Sequence, residues 1–160
     1  MATIKPPAAP LQLNAGTAPG QLFLLYRQAV LAYIAAQQSG SNGVVPISSL
    51  GLSGLVVKSL PAGAMAVVFQ NSTSTPQNYF GYTACIWMPV PAGTIGQLVN
   101  QLDGDLTIGM VAANNQWVQV AGGGTTLTIP ANCLTPSNGS GVVTSPAVGD
   151  IISVISVGSS

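Results

Sequence analysis

The sequence predicts a mainly β fold: an antiparallel β-sandwich of jelly-roll-like type, preceded by an extended arm and one α-helix. Three observations carry this. From residue 44 onward, short apolar runs with period-two character are broken every ten or so residues by Gly, Pro or Asn. Before them stands one stretch with helical character, residues 21–38, QLFLLYRQAVLAYIAAQQ. Ahead of that, Pro6, Pro7, Pro10 and Pro19 deny the backbone donors and favour extended geometry. The 160 residues divide into an arm at 1–19, a helix at 20–39 and a β domain at 40–160. That length suffices for a real core.

On the arm, Ile4, Leu11 and Leu13 are scattered apolar handles, suited to ordering against a neighbouring subunit. The helix has sensible limits. Thr17 can cap it, Pro19 sits in the first turn, and Ser39-Gly40 ends it. At 100° per residue, Leu22, Phe23, Tyr26, Val30, Tyr33 and Ile34 share one broad face. Leu24 and Leu31 form a second strip, displaced by roughly 100°. One face is expected against the chain's own sheet and the second strip against another subunit.

The candidate strands are 44–47, 54–60, 64–70, 80–90, 94–98, 105–111, 116–120, 125–129 and 150–157. Thr126 and Thr128 alternate with Leu127 and Ile129, as in a strand with one wet face. Residues 83–88 and 151–155 are apolar on both faces. They are either central strands or strands whose outer side meets a subunit. Turns are expected at Pro61-Ala-Gly, Pro91-Ala-Gly, Asn114-Asn115 and Gly122–Gly124.

Charge is scarce: 4% of residues, against about 25% in an ordinary domain. The ionic residues are Lys5, Arg27, Lys58, Asp103, Asp105 and Asp150, with no Glu and no His. So neutral a surface gives little protection from self-association and suits a subunit packed against others. Three cations cannot neutralise a phosphate backbone, which sets nucleic acid aside. Arg27 and the glutamines of the helix argue against a membrane span.

Catalysis lacks its usual parts. Without His or Glu, a Ser or Cys nucleophile has no obvious base. Asp103-Gly104-Asp105 reads as a β-turn, because a calcium loop needs several more oxygen ligands. Gly122–Gly124 joins two strands and opens no helix, so it is no phosphate loop. No catalytic residue, metal site or cofactor is expected. Cys85 and Cys133 do not make a metal set. A bridge between them would close a long loop and stabilise by a few kcal/mol. With no apolar signal core in MATIKPPAAPLQLN, two reduced and packed thiols are the expectation. Tyr79, Phe80, Tyr82, Trp87 and Trp117 could form a sugar platform, though Trp87 and Trp117 read better as core or interface anchors.

The order of parts resembles capsid decoration (cement) proteins and short-fibre heads of tailed bacteriophages. The likeness rests on the arm MATIKPPAAPLQL, the low-charge β domain, and the closing strands WVQV (117–120), TTLTIPAN (125–132) and GDIISVI (149–155). The resemblance implies a homo-oligomer, a trimer by preference, seated on the capsid surface after assembly in the host cytoplasm. Its partners would be the major capsid protein or other virion subunits. Ile4, Leu11, Leu13, Leu24, Leu31, Trp87 and Trp117 would be its interface residues. The function expected is stabilisation of an assembled shell; the alternative is a glycan- or receptor-binding sandwich on a fibre or secreted coat.

Overall fold

The computed structural model describes residues 19–36, 43–70, 82–96, 105–121, 124–134 and 145–157. It bears out the mainly β, antiparallel class with one long N-terminal helix. The elements are α1 (Pro19–Ala36), β1 (Gly43–Val44), α2 (Gly54–Ser59), β2 (Met65–Gln70), β3 (Tyr82–Met88), β4 (Ile108–Ala112), β5 (Gln116–Gln119), β6 (Thr126–Thr128), α3 (Ala131–Leu134) and β7 (Ile151–Val157). The seven described strands join one antiparallel sheet in the order β1-β2-β3-β7-β4-β5-β6.

β7, the last described strand, therefore lies in the middle of the sheet. β7 pairs along its full length with β3, from Tyr82↔Val157 to Met88↔Ile151, and with β4 at Ile108↔Ser153. This settles the reading of the two doubly apolar segments: both are central strands, buried from two sides. Residue parity sorts the two faces. Ala66, Val68, Ala84, Ile86, Met88, Ile108 and Ile151 face one way, and Leu22, Phe23, Tyr26, Val30 and Ile34 of α1 pack over them. Each of those helix side chains contributes about 1.5–3 kcal/mol by leaving water.

On the opposite face lie Val67, Cys85, Trp87, Val111, Trp117 and Ile152, covered by Ile129 and Cys133. Here the expectation of free thiols fails: Cys85 and Cys133 form a disulfide, with Cα atoms 6.1 Å apart. Sheet topology brings them together, since Cys85 points down from β3 onto the side that α3 crosses. Gly109 serves the same side. A Cβ there would fall onto the Val118 carbonyl oxygen and 2.7 Å from Trp117 Cε3, so only glycine lets the indole come so close.

Three strand assignments differ from the sequence reading. Residues 54–60 form α2 instead. Ser53 caps it by accepting from the Val56 N–H at 3.3 Å, and only Val56 is buried, which overrides the β preference of two valines. The strand expected at 44–47 stops at Val44, where Pro46 leads into a 3-10 turn at Ile47–Ser49. Residues 94–96 of the strand expected at 94–98 form a helical turn; 97 and 98 lie outside the described residues. The turn at Asn114-Asn115 is present, both residues adopting positive φ (63° and 58°), which Asn tolerates. The arm, the Thr17 cap and the helix end at Ser39-Gly40 lie outside the described residues.

Replacing both Cys85 and Cys133 by Ser is expected to lower unfolding free energy by about 4 kcal/mol, the loop-closure figure for their 48-residue separation. Urea denaturation of the variant and of the oxidised protein measures the difference; equal midpoints would deny the bond its stabilising role.

Candidate functional site

In so neutral a chain, the places where charge is kept are informative. Arg27 sits midway along α1, at the border of the buried helix face. Its Nε donates to Ser153 Oγ on β7 at 2.8 Å. Its Nη2 donates to Asp105 Oδ2 at 3.2 Å and to Thr107 Oγ1 at 3.0 Å. Asp105 is held in turn. Its Oδ1 accepts from the Thr107 N–H at 2.8 Å and from the Thr107 hydroxyl at 2.6 Å, the geometry of an Asx turn leading into β4. With its one proton given to Asp105, the Thr107 hydroxyl accepts from Arg27 and from Ser153 Oγ, 3.3 Å away. The ring of donors and acceptors closes on itself.

The chemistry of this cluster is that of a lock. A guanidinium offers donors and no acceptor, and both Asp105 oxygens already accept hydrogen bonds. What the cluster does is join three separated pieces of chain: the helix, the turn before β4, and central strand β7. It lies at the rim of the core, with Arg27 and Asp105 side chains 20% and 27% exposed. At that exposure the ion pair alone contributes about 0–1 kcal/mol, and the charge-assisted hydrogen bonds contribute more. The sequence gives Arg27 and Asp105 separate meanings, as a membrane-averse helix residue and half of a turn. Their pairing spans 78 positions, so no spacing signals it. The one hint is scarcity itself, since a helix facing a core keeps a charge when something there answers it. Among the described residues, no cluster of three or more His, Cys, Asp or Glu could hold a metal ion.

A second carboxylate is more deeply set. Asp150, 7% exposed, ends the turn before β7. Its Oδ2 accepts from the Ala147 N–H at 3.0 Å, while its own N–H donates to the Ala147 carbonyl at 2.9 Å. Burial pushes the carboxyl above the usual Asp range, with the Ala147 N–H opposing that rise.

The residues expected at subunit contacts are placed as follows. Leu24 and Leu31 are half-buried and pack against the same core as the main helix face, so the second strip is partly used within the chain. Trp87 and Trp117 are buried on the disulfide side. Ile4, Leu11 and Leu13 lie outside the described residues, as do Tyr79 and Phe80. Among the described residues, two buried polar atoms lack a hydrogen-bond partner, Tyr26 Oη and Trp87 Nε1. Burial pushes the Tyr26 phenol well above its ordinary value. No described helix is long and apolar enough to cross a membrane.

Arg27→Met keeps the apolar stem and removes the donors; it is expected to cost about 1–3 kcal/mol in urea unfolding. Arg27→Lys should recover little of that, because one ammonium cannot reproduce the planar fork. Full recovery by Lys would reduce the cluster to simple charge attraction. For Asp150 the raised value fixes the sign. Its contribution to stability is fully present below the unfolded carboxyl pKa, about 3.9, and is lost as pH rises through the folded one. Asp150→Asn should therefore gain in Tm relative to the parent as pH climbs from about 3 to 7; a constant difference would exclude this titration.

Comparison with known proteins overturns the resemblance drawn from the sequence. A family model described as PilM matches residues 6–144, most of the chain. Among solved structures, a crystal structure of the protein called PilM from Escherichia coli B7A is similar at 16% identity. It covers 85% of this chain and 87% of its own, with a TM-score of 0.49. No curated protein matches. The family match replaces the assignment to bacteriophage decoration proteins and with it the capsid-binding function, the glycan-binding alternative and the virion location. Low charge, a Pro-rich arm and an antiparallel sheet had carried that likeness, and none of them is particular to virions. This chain belongs to the PilM family.

Proposed function

We propose that this chain is a non-catalytic structural component of a pilus-assembly system, with its helix-on-sheet domain acting as a protein-binding module. The observation that carries the reading is the family match across residues 6–144, the family's name denoting a pilus protein. Composition supports the non-catalytic part: the chain has no His and no Glu, and its described charge cluster is consumed in holding the helix to the sheet. The buried disulfide supports work in an oxidising compartment, where such bonds persist. Low net charge and three cations favour protein subunits over nucleic acid as partners.

The test is removal of the coding sequence from the native host, followed by counting surface pili by electron microscopy. Loss of pili, restored by the intact chain and not by the Cys85→Ser, Cys133→Ser double variant, is the expected outcome. Undiminished piliation in the deletion strain would sink the reading.

A further inference from the structure

We propose that the β6 edge of the sheet is a self-association site, at which a second copy of this chain pairs antiparallel about a two-fold axis through Leu127. The proposal rests on backbone register and does not depend on the pilus reading.

Among the described residues the outer strands of the sheet are β1 and β6. On β6, the Gln119 N–H donates to the Thr125 carbonyl at 2.9 Å and the Ile129 N–H to the Asn115 carbonyl at 2.8 Å. With Trp117 opposite Leu127, these bonds make residues 125, 127 and 129 the ones facing β5. The N–H and C=O groups of Thr126 and Thr128 therefore point away from the sheet, unpaired among the described residues, and the whole strand is exposed. At the other edge, the Val45 N–H bonds to the Ala66 carbonyl, and Gly43 stands opposite Val68. Among the described residues that leaves Val44 alone facing outward, with Pro46 next in line and lacking an N–H. β1 is blunted in the way sheet edges usually are, and β6 is not.

The occupant follows from symmetry. Thr126-Leu127-Thr128 reads the same in both directions about Leu127. A two-fold there sets each Thr126 against Thr128 of the other copy as hydrogen-bonded pairs, with the two leucines opposite one another. Pro130, the next residue whose N–H would point outward, ends the ladder, leaving roughly four backbone hydrogen bonds. Facing Thr–Thr pairs are favourable in sheets, and Leu127, 37% exposed, gains cover. Like charges meeting across a two-fold would oppose the contact, but no charged residue occurs between positions 106 and 149. Because β1 is closed, edge-to-edge growth into an open filament is disfavoured and a closed pair results. So short a ladder predicts a reversible, concentration-dependent dimer.

Sedimentation velocity and amide hydrogen exchange between about 10 μM and 1 mM test this, a range suited to weak association. The expected result is a monomer–dimer equilibrium in which rising concentration protects the Thr126 and Thr128 amides. Thr128→Pro removes an outward donor without touching the bonds to β5. It should weaken dimerisation at least about tenfold with Tm unchanged, since a strand-edge Pro spares the remaining ladder. Leu127→Lys, which leaves the backbone intact, should do likewise by placing like charges opposite each other. A monomer at the highest concentration overturns the proposal, as does a dimer whose edge amides stay unprotected. Edge protection that appears only when a foreign extended peptide is added would give β6 to a different occupant and also overturn it.

Discussion

The fold depends on one pair of strands. β3 and β7 are apolar on both sides and lie next to each other at the centre of the sheet, so the sheet must be covered twice. A helix supplies one cover and a short segment pinned by a disulfide supplies the other. Neither cover is optional, because exposing a doubly apolar sheet face would leave several large side chains in water. The first cover is α1, Pro19–Ala36, and it packs beside β7, Ile151–Val157. The core therefore closes through contacts far apart in sequence, a non-local arrangement that entails slow loop closure.

Against that background the Arg27 cluster has a definite role. Hydrophobic burial of α1 contributes more stability, but it is non-directional and would tolerate a helix shifted along the sheet. Donors fixed to Ser153, Asp105 and Thr107 tolerate only one placement. Packing holds the helix down, and the guanidinium decides where it sits. A chain with so few charges places this one where it ties together segments 78 and 126 residues apart.

Neutrality also has an outward consequence. An edge strand without charge or bulge invites pairing, and the contrast between β1 and β6 suggests that the invitation is confined to one side. The same neutrality made the likeness to virion proteins attractive, because any subunit that lives packed against others can share it. Composition reports a way of life more readily than a lineage, and the family match across residues 6–144 supplies the lineage.

What the sequence determined by itself was local and periodic. The antiparallel class, the helix ahead of it, the turn at Asn114-Asn115, and the doubly apolar 83–88 and 151–155 were legible because propensity and period act between near neighbours. Everything that depends on which distant residues meet was set by the packed fold. The reduced thiols expected at Cys85 and Cys133 became a disulfide once β3 and α3 faced each other. Two tryptophans read as core or interface anchors lie in the core, and two half-buried leucines were partly claimed by their own sheet. Residues 54–60, rich enough in valine to read as a strand, became a helix, because a serine cap was available there and the sheet drew its strands from elsewhere. Strand order, disulfide pairing and the Arg27 lock are contacts between distant residues, and no period along a single chain encodes them.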